Sequence, residues 1–312
     1  MPPRRLLPLL TAGLLALGSV APAHAQSSLP AHSPGSSASS LPTLSSGGAT
    51  SSEYPEHPGI VPDTTVRLEV PVPGGPTRDV LISLPENYDP TRTYPVWLAY
   101  PGRSISPEHM STDTGLQVAS DAIVAYGRGE GGAWAGAPYA VTDMAEDIAY
   151  SRAVVDRIAQ DHLIDRDRVY AIGHSNGGGF ALALACHAPD LVAGVVGVSG
   201  IYYNPGTPAS GRCAGQPVPV MIIHSRNDGL SLIEGATAHG VPYVGAAAMV
   251  GIHAAINGCG GATTRPVAPG VTAHVRQGCE AATELILSES DGHGWPHYSA
   301  FEAWDFLSAQ NL

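Results

Sequence analysis

Lysine is absent from this sequence of 312 residues, so its 15 basic residues are all arginine. Acidic residues outnumber them, because 27 Asp and Glu residues give a formal net charge of −12 at pH 7. An acidic surface repels phosphate groups and anionic lipid headgroups. The sequence therefore predicts no binding to nucleic acid and no stable attachment to an anionic membrane surface.

Long hydrophobic runs are also absent, except near the N-terminus, which argues against a later membrane-spanning helix. The exception runs from Leu6 to Val20, follows Arg4 and Arg5, and precedes the small-x-small cleavage site Ala23-His24-Ala25. This order is typical of a secretory signal peptide, here residues 1–25. We therefore expect an exported protein, secreted or associated with the cell envelope, and both the Sec and the twin-arginine routes remain open.

Large apolar side chains are scarce in residues 26–60, which are rich in Ser, Pro, Gly and Ala. A segment of this composition buries too little apolar surface to offset the conformational entropy that it would lose on folding. We therefore expect a disordered linker over residues 26–60. Residues 61–312 are long enough to form one well-packed domain.

Cysteine is scarce, with four residues at Cys186, Cys213, Cys259 and Cys279. No two of them have the C-x-x-C spacing that is typical of zinc sites, so we expect no metal. An even number of cysteines in an exported chain favours disulfides, for which three pairings are possible. Proximity in the sequence suggests Cys186–Cys213 and Cys259–Cys279, each stabilising the fold by roughly 2–4 kcal/mol.

Strand-like and helix-like patterns alternate through residues 61–312. Short apolar runs predict strands at Thr64–Val70, Arg78–Leu84, Tyr94–Tyr100, Ala122–Tyr126, Val169–Ile172, Leu191–Val198, Val218–His224 and Glu284–Leu287. Helical periodicity or small-residue runs predict helices at Thr142–Gln160, Phe180–Ala185 and Tyr298–Leu312. The first two strands flank a Pro-Gly turn and predict an antiparallel hairpin. The remainder predicts an α/β fold with a mostly parallel central sheet and helices on both faces.

The most informative stretch is Gly173-His174-Ser175-Asn176-Gly177, a G-x-S-x-G motif between a predicted strand and a predicted helix. Such a turn holds the serine in a strained backbone conformation. Gly173 and Gly177 are needed where a Cβ would collide with the neighbouring strand or helix. The turn also exposes the Ser175 hydroxyl beside the amide N–H groups of a helix N-terminus. Ser175 is therefore the candidate nucleophile, although a serine between glycines is often an ordinary turn residue.

A serine nucleophile needs a base, and the base needs a carboxylate that orients it. After such an elbow the acid and then the histidine follow on loops that leave later strands. Asp228 follows the predicted strand Val218–His224 and is the candidate acid, with Glu234 in reserve. His293 lies between two glycines after the last predicted strand and is the candidate base. The alternative for Asp228 is a solvated loop residue.

The negative charge that develops on a carbonyl oxygen during attack requires two backbone N–H groups aimed at one point. We expect the first from Asn176, which directly follows the nucleophile, and the second from Arg103, in the loop after the strand that ends at Tyr100. Trp134 and Trp295 are candidates to line an acyl or aryl pocket, and ordinary packing is the alternative for each.

The elbow is preceded by Ile164–Tyr170 and followed by Cys186–Val196. The chain later contains the turn Asn257-Gly258-Cys259 and the loop Gly292-His293-Gly294-Trp295-Pro296. From about residue 65 to the end, this combination resembles the secreted polyhydroxybutyrate-depolymerase/feruloyl-esterase-like branch of the α/β-hydrolases. The resemblance implies an α/β-hydrolase catalytic domain over residues 61–312.

The same resemblance implies roles for individual residues. Ser175, Asp228 and His293 would form the catalytic triad, and the amides of Asn176 and Arg103 would bind the oxyanion. Two segments depart from the family pattern. Pro101-Gly102 stands where the family has His-Gly, and His224-Ser225-Arg226-Asn227-Asp228 stands where the family has His-Gly-x-x-Asp. Neither departure removes a catalytic atom.

The function that the resemblance implies is a secreted serine carboxylic-ester hydrolase that uses an acyl-enzyme and needs no metal or organic cofactor. Its substrates would be short-chain, feruloyl-type or hydroxyalkanoate esters, as small molecules or oligomers. The same triad could instead transfer the acyl group to a sugar of the cell envelope. A non-catalytic envelope-binding protein with this fold is a further alternative, and the intact order of Ser, Asp and His argues against it.

Overall fold

The fold is built on a ten-stranded sheet within residues 65–203 and 215–312, the parts of the chain that the computed structural model describes. The predicted signal peptide over residues 1–25 and the predicted linker over residues 26–60 lie outside these ranges, as does Cys213. Within the described ranges, no helix combines the length and the apolar character needed to span a bilayer.

The strands and helices follow one another along the chain in the alternation that the sequence predicts. The strands are β1 Thr65–Val70, β2 Arg78–Ser83, β3 Tyr94–Tyr100, β4 Ile123–Gly127, β5 Ile164–His174, β6 Gly194–Val198, β7 Tyr202–Tyr203, β8 Val220–Ser225, β9 Gly235–Ala238, β10 Val241–Val244, β11 Ala262–Ala268, β12 Val271–Arg276 and β13 Thr283–Ser288. The helices are α1 Pro107–Thr114, α2 Leu116–Ala119, α3 Met144–Asp161, α4 Asn176–His187, α5 Ala246–Ile256 and α6 Ser299–Ser308.

The large sheet has the strand order β1-β2-β4-β3-β5-β6-β8-β13-β12-β11. Its six central strands, from β4 to β13 in this order, run parallel, and antiparallel pairs flank them on both sides. Every residue of β3, β6 and β8 is buried, as expected for parallel strands that are covered on both faces. The predicted mostly parallel sheet and the predicted opening hairpin are confirmed.

Helices cover both faces of the sheet, so the core has two apolar layers. Residues of α3, α4 and α5 pack on one face, in the layer that contains Tyr150, Phe180 and Met249. Residues of α1, α2 and α6 pack on the other face, in the layer that contains Met110 and Leu307. This arrangement fixes the parallel strands rigidly, and it places the loops that follow them at one edge of the sheet.

A disulfide links Cys259 and Cys279, with an S–S distance of 2.06 Å, so this predicted pairing is confirmed. It joins the segment after α5 to the turn before β13, on either side of the β11–β12 hairpin. The predicted pairing Cys186–Cys213 stays a prediction, because Cys213 lies outside the described residues.

The buried His253 should make the stability of the fold depend on pH. This residue of α5 is 3% exposed, and burial lowers its pKa to about 4. In the unfolded chain this histidine has its ordinary pKa of about 6.5, so the unfolded chain takes up a proton at a higher pH than the folded protein. The free energy of unfolding therefore falls by up to about 3 kcal/mol as the pH drops from about 6.5 to about 4. Above about pH 6.5 the histidine is neutral in both the folded and the unfolded state, so it no longer changes the free energy of unfolding with pH.

We expect His253→Leu to lose less thermal stability than the wild type between pH 7 and pH 4.5, because it removes a group that only the unfolded chain protonates in this range. The matched control is His239→Asn, since His239 is exposed in the turn between β9 and β10. Thermal unfolding followed by circular dichroism at several pH values measures the effect. Equal slopes for wild type and His253→Leu would contradict the prediction.

Candidate active site

Ser175 lies in the sharp turn between β5 and α4. Its backbone angles, φ 54° and ψ −117°, are rare for a residue with a side chain and indicate local strain. A Cβ on Gly173 would lie 2.1 Å from the Gly177 carbonyl oxygen, and a Cβ on Gly177 would lie 2.0 Å from the Tyr100 carbonyl oxygen. The prediction that both glycines are required by close approach of the backbone is confirmed.

Three side chains from distant parts of the chain meet beside this turn. The Nε2 atom of His293 lies 2.9 Å from the Ser175 hydroxyl oxygen, and its Nδ1 atom lies 2.8 Å from Asp228 Oδ2. The carboxylate can only accept, so Nδ1–H donates to Asp228 and Nε2 is left to accept the serine O–H. The three residues thus form a continuous hydrogen-bonded chain from a hydroxyl to a buried carboxylate.

The Asp228 carboxylate is held in its charged form. Its Oδ1 atom accepts hydrogen bonds from the backbone N–H groups of Leu230 at 2.9 Å and Ser231 at 2.8 Å. Burial by itself would raise the pKa of Asp228, but the hydrogen bonds from His293 and from the two amides outweigh burial and hold the pKa below its ordinary value. Glu234, the reserve candidate, is exposed, and no hydrogen bond joins it to His293.

The loop that carries His293 is fixed by two polar residues that the sequence reasoning missed. Asn227 accepts a hydrogen bond from the Gly292 N–H at 2.7 Å, and the Ser199 hydroxyl donates to the Gly294 carbonyl at 3.0 Å. Both residues follow buried strands that end at the same sheet edge as Ser175. Small polar residues directly after β6 and β8 were the signal that could have identified them.

Two further histidines, His174 and His224, lie near Ser175 and His293 and have lowered pKa values. Burial lowers the pKa of His174 to about 4, and the adjacent His293, whose ring centroid is 5.3 Å away, adds to the effect. Burial also lowers the pKa of His224, whose Nε2 lies 2.7 Å from the Ser231 carbonyl oxygen. A lowered pKa favours the neutral form of His174 and His224, so neither adds a positive charge at this site near pH 7.

The segment Pro101-Gly102-Arg103 lies against the serine. A Cβ on Gly102 would lie only 3.4 Å from the Ser175 Cβ atom. The Ser104 N–H donates to the Gly132 carbonyl oxygen, and the Ile105 N–H donates to the Gly102 carbonyl oxygen. Asn176 is the first residue of α4, where an N–H group has no intrahelical acceptor.

The guanidinium of Arg103 stacks over the Tyr139 ring at 4.2 Å, so its charge is engaged in a cation–π contact. The predicted oxyanion role of Arg103 concerns its backbone N–H group, and it stays a prediction. The same holds for Asn176, whose side chain is used in hydrogen bonds with the backbone of Trp134.

The two tryptophans differ in position. Trp295 lines a cavity of about 230 Å³ that is also lined by His293 and Gly102, so it lies where a substrate could reach it. Trp134 is 1% exposed and stacks on Phe180, with ring centroids 5.3 Å apart. The prediction that Trp134 lines a substrate pocket is wrong, because the hydrophobic core beneath the site encloses its indole.

Metal ligands are not grouped in residues 65–203 and 215–312. No cluster of three or more His, Cys, Asp or Glu side chains in these ranges is placed to hold a metal ion. The hydrogen-bonded arrangement of Ser175, His293 and Asp228 can support proton transfer and nucleophilic attack.

Comparison with known proteins agrees with this geometry. Residues 75–227 match the family model described as "Putative esterase". The chain is 38% identical over 147 residues to the "Putative esterase NocK" of Nocardia uniformis subsp. tsuyamanensis. The aligned region covers 45% of this chain and 42% of NocK. It is 25% identical over 250 residues to feruloyl esterase B of Piromyces equi. That aligned region covers 75% of this chain and 46% of feruloyl esterase B. The fold is that of the α/β-hydrolases, and the sequence is similar to esterases over residues 75–227.

A solved structure supports the α/β-hydrolase fold independently. The ferulic acid esterase of Anaeromyces mucronatus, solved in complex with ferulic acid, superposes on this α/β-hydrolase with a TM-score of 0.52 at 15% identity. The match covers 84% of this chain and 93% of that one. This α/β-hydrolase spans less than half the length of NocK and of feruloyl esterase B.

Proposed function

We propose that this α/β-hydrolase is a serine carboxylic-ester hydrolase with Ser175, His293 and Asp228 as its catalytic triad. The observation that carries the proposal is the hydrogen-bonded chain from the Ser175 hydroxyl through His293 to Asp228, with distances of 2.9 and 2.8 Å. The strained turn at Ser175 and the match to esterase families support it further.

In the first half of the reaction, the Ser175 oxygen attacks the ester carbonyl carbon while His293 Nε2 accepts the hydroxyl proton. Asp228 stabilises the imidazolium that forms, because its carboxylate stays ionised next to Nδ1–H. The oxyanion accepts hydrogen bonds from the backbone N–H groups of Asn176 and Arg103. His293 then donates its proton to the leaving alcohol oxygen, and an acyl-serine remains.

In the second half, His293 accepts a proton from water, and the resulting hydroxide attacks the acyl-serine carbonyl. Collapse of the tetrahedral intermediate releases the carboxylic acid and returns the proton to the Ser175 oxygen. Every proton in this cycle moves through His293, and water is the second reactant.

The substrate class that we propose is a short-chain, feruloyl-type or hydroxyalkanoate ester. The cavity beside His293 has a volume of about 230 Å³, which suits a small group rather than a long acyl chain. Trp295, Ile105 and Met110 supply apolar lining, and His109 and Asp113 supply a polar rim. Related proteins that are named feruloyl esterases support the aromatic member of this class.

We also propose that the protein is exported, with residues 1–25 removed as a signal peptide and residues 26–60 serving as a linker to the catalytic domain. The basic start, the apolar run and the Ala23-His24-Ala25 site support export. The disulfide between Cys259 and Cys279 supports it independently, because disulfides persist in oxidising compartments.

An ester panel tests the proposed function. Methyl ferulate, p-nitrophenyl acetate, p-nitrophenyl butyrate, acetylated xylan and 3-hydroxybutyrate oligomers are incubated with the wild type and with Ser175→Ala, and the free acid is quantified. We expect acid release from at least one ester by the wild type alone. Transfer of the acyl group to an added sugar in place of acid release would favour the acyltransferase alternative. No turnover of any ester would contradict the proposal.

A further inference from the structure

The buried residue Trp134 connects the two backbone segments that we assign to the oxyanion hole. Its indole Nε1–H donates a hydrogen bond to the Pro101 carbonyl oxygen at 3.0 Å. Its backbone N–H donates to Asn176 Oδ1 at 2.8 Å, and its carbonyl accepts from Asn176 Nδ2 at 3.2 Å. One residue therefore holds both the loop that precedes Arg103 and the first residue of α4.

Trp134 is itself held in place by ring contacts and by a hydrogen bond of the residue that follows it. It stacks on Phe180 of α4 at 5.3 Å and meets the Tyr100 ring edge-on at 4.9 Å. The next residue, Ala135, donates its backbone N–H to the buried Asp147 at 2.8 Å. Asp147 pairs in turn with the buried Arg78 at 2.6 Å. Buried polar groups that hydrogen-bond to one another in this way are held rigidly.

We propose that Trp134 and the Asn176 side chain are positioning residues that set the separation of the two oxyanion N–H groups. The proposal rests on the proposed ester hydrolysis. Neither side chain touches the substrate, because Trp134 is 1% exposed and Asn176 is 3% exposed. They act through the backbone of Arg103 on one side and of Asn176 on the other. Oxyanion donors are effective only when both point at the developing charge, so a small displacement lowers the rate.

The test uses Trp134→Phe, which keeps an aromatic ring but removes the Nε1–H donor to Pro101. Trp97→Phe is the matched control: Trp97 is a buried tryptophan of β3, and its Nε1 has no hydrogen-bond partner among the described residues. Both variants lose similar packing, but Trp134→Phe also loses a buried hydrogen bond, so its melting temperature should fall further than that of Trp97→Phe. Only Trp134→Phe should alter the oxyanion hole.

Two measurements separate positioning from stability. We expect Trp134→Phe to lower kcat for an ester that the wild type hydrolyses by about tenfold to a hundredfold, with KM changed less than twofold. The inhibition constant of a trifluoromethyl ketone should rise by a similar factor, because its carbonyl becomes an oxyanion when Ser175 adds to it. Trp97→Phe should leave both values within twofold of the wild type.

Asn176→Ala provides a second variant that keeps the backbone N–H and removes both side-chain bonds to Trp134. It should show the same fall in kcat and the same loss of ketone affinity, and it carries the test if Trp134→Phe does not fold. Variants that match the Trp97→Phe control in kcat and in ketone affinity would overturn the positioning role and leave the proposed function intact. A wild-type chain that neither hydrolyses esters nor binds the ketone would overturn both.

Discussion

Replacing Ser175 with alanine should lower kcat for ester hydrolysis by about 10⁴-fold or more, because the variant lacks the atom that attacks the carbonyl. The rest of the site should remain in place. The Ser175 hydroxyl makes one side-chain hydrogen bond among the described residues, to His293, so its removal leaves no buried polar group without access to solvent. Steady-state kinetics on the most active ester of the panel measures the effect.

The same variant should unfold within about 2 °C of the wild type, since alanine and serine experience the same backbone strain at φ 54°. Ser175→Gly is the matched control, because glycine tolerates this conformation and should raise the melting temperature while losing the same activity. Wild-type turnover in either variant would rule out Ser175 as the nucleophile.

Replacing Gly177 with alanine should have the largest effect on folding. The new Cβ would lie 2.0 Å from the Tyr100 carbonyl oxygen and 2.5 Å from the Pro101 carbonyl oxygen, and both obstacles are backbone atoms that cannot rotate away. The start of α4 would have to move away from β3. We expect a loss of about 3 kcal/mol or more in the free energy of unfolding, which corresponds to a melting temperature about 10 °C lower.

Gly251→Ala is the matched control for this prediction. Gly251 also lies within a helix, α5, and a Cβ there would meet no atom within 4 Å. Alanine is the better helix former, so this variant should gain up to about 1 kcal/mol. Equal melting temperatures for Gly177→Ala and the wild type would contradict the close packing of the turn against β3.

The central strands could be predicted because burial on both faces leaves a clear signal. Tyr94–Tyr100 and Val220–Ser225 consist mostly of apolar residues, and this pattern predicts the first strand with the observed bounds and the second at Val218–His224. The candidate site residues follow from chain order. When a G-x-S-x-G turn lies between a strand and a helix, the acid and then the histidine lie on loops that leave later strands. The strand that leads into the turn, Ile164–His174, is longer than predicted because its first half is polar.

Other elements left weaker signals. The helix Ala246–Ile256 contains no charged residue, so it has no polar face from which a helical period can be read. The hairpin Ala262–Ala268 and Val271–Arg276 contains a proline and threonines that resemble a loop. Trp134 was placed wrongly because a tryptophan in a glycine-rich loop is compatible with either a pocket wall or a core, and only tertiary packing distinguishes the two.

The most direct measurement of the central claim is the site of covalent labelling by a fluorophosphonate, followed by mass spectrometry of the digested protein. We expect a single adduct on the peptide that contains Ser175, formed much more slowly in His293→Ala and absent in Ser175→Ala. Labelling at another residue, or no labelling of the folded wild-type protein, would contradict it.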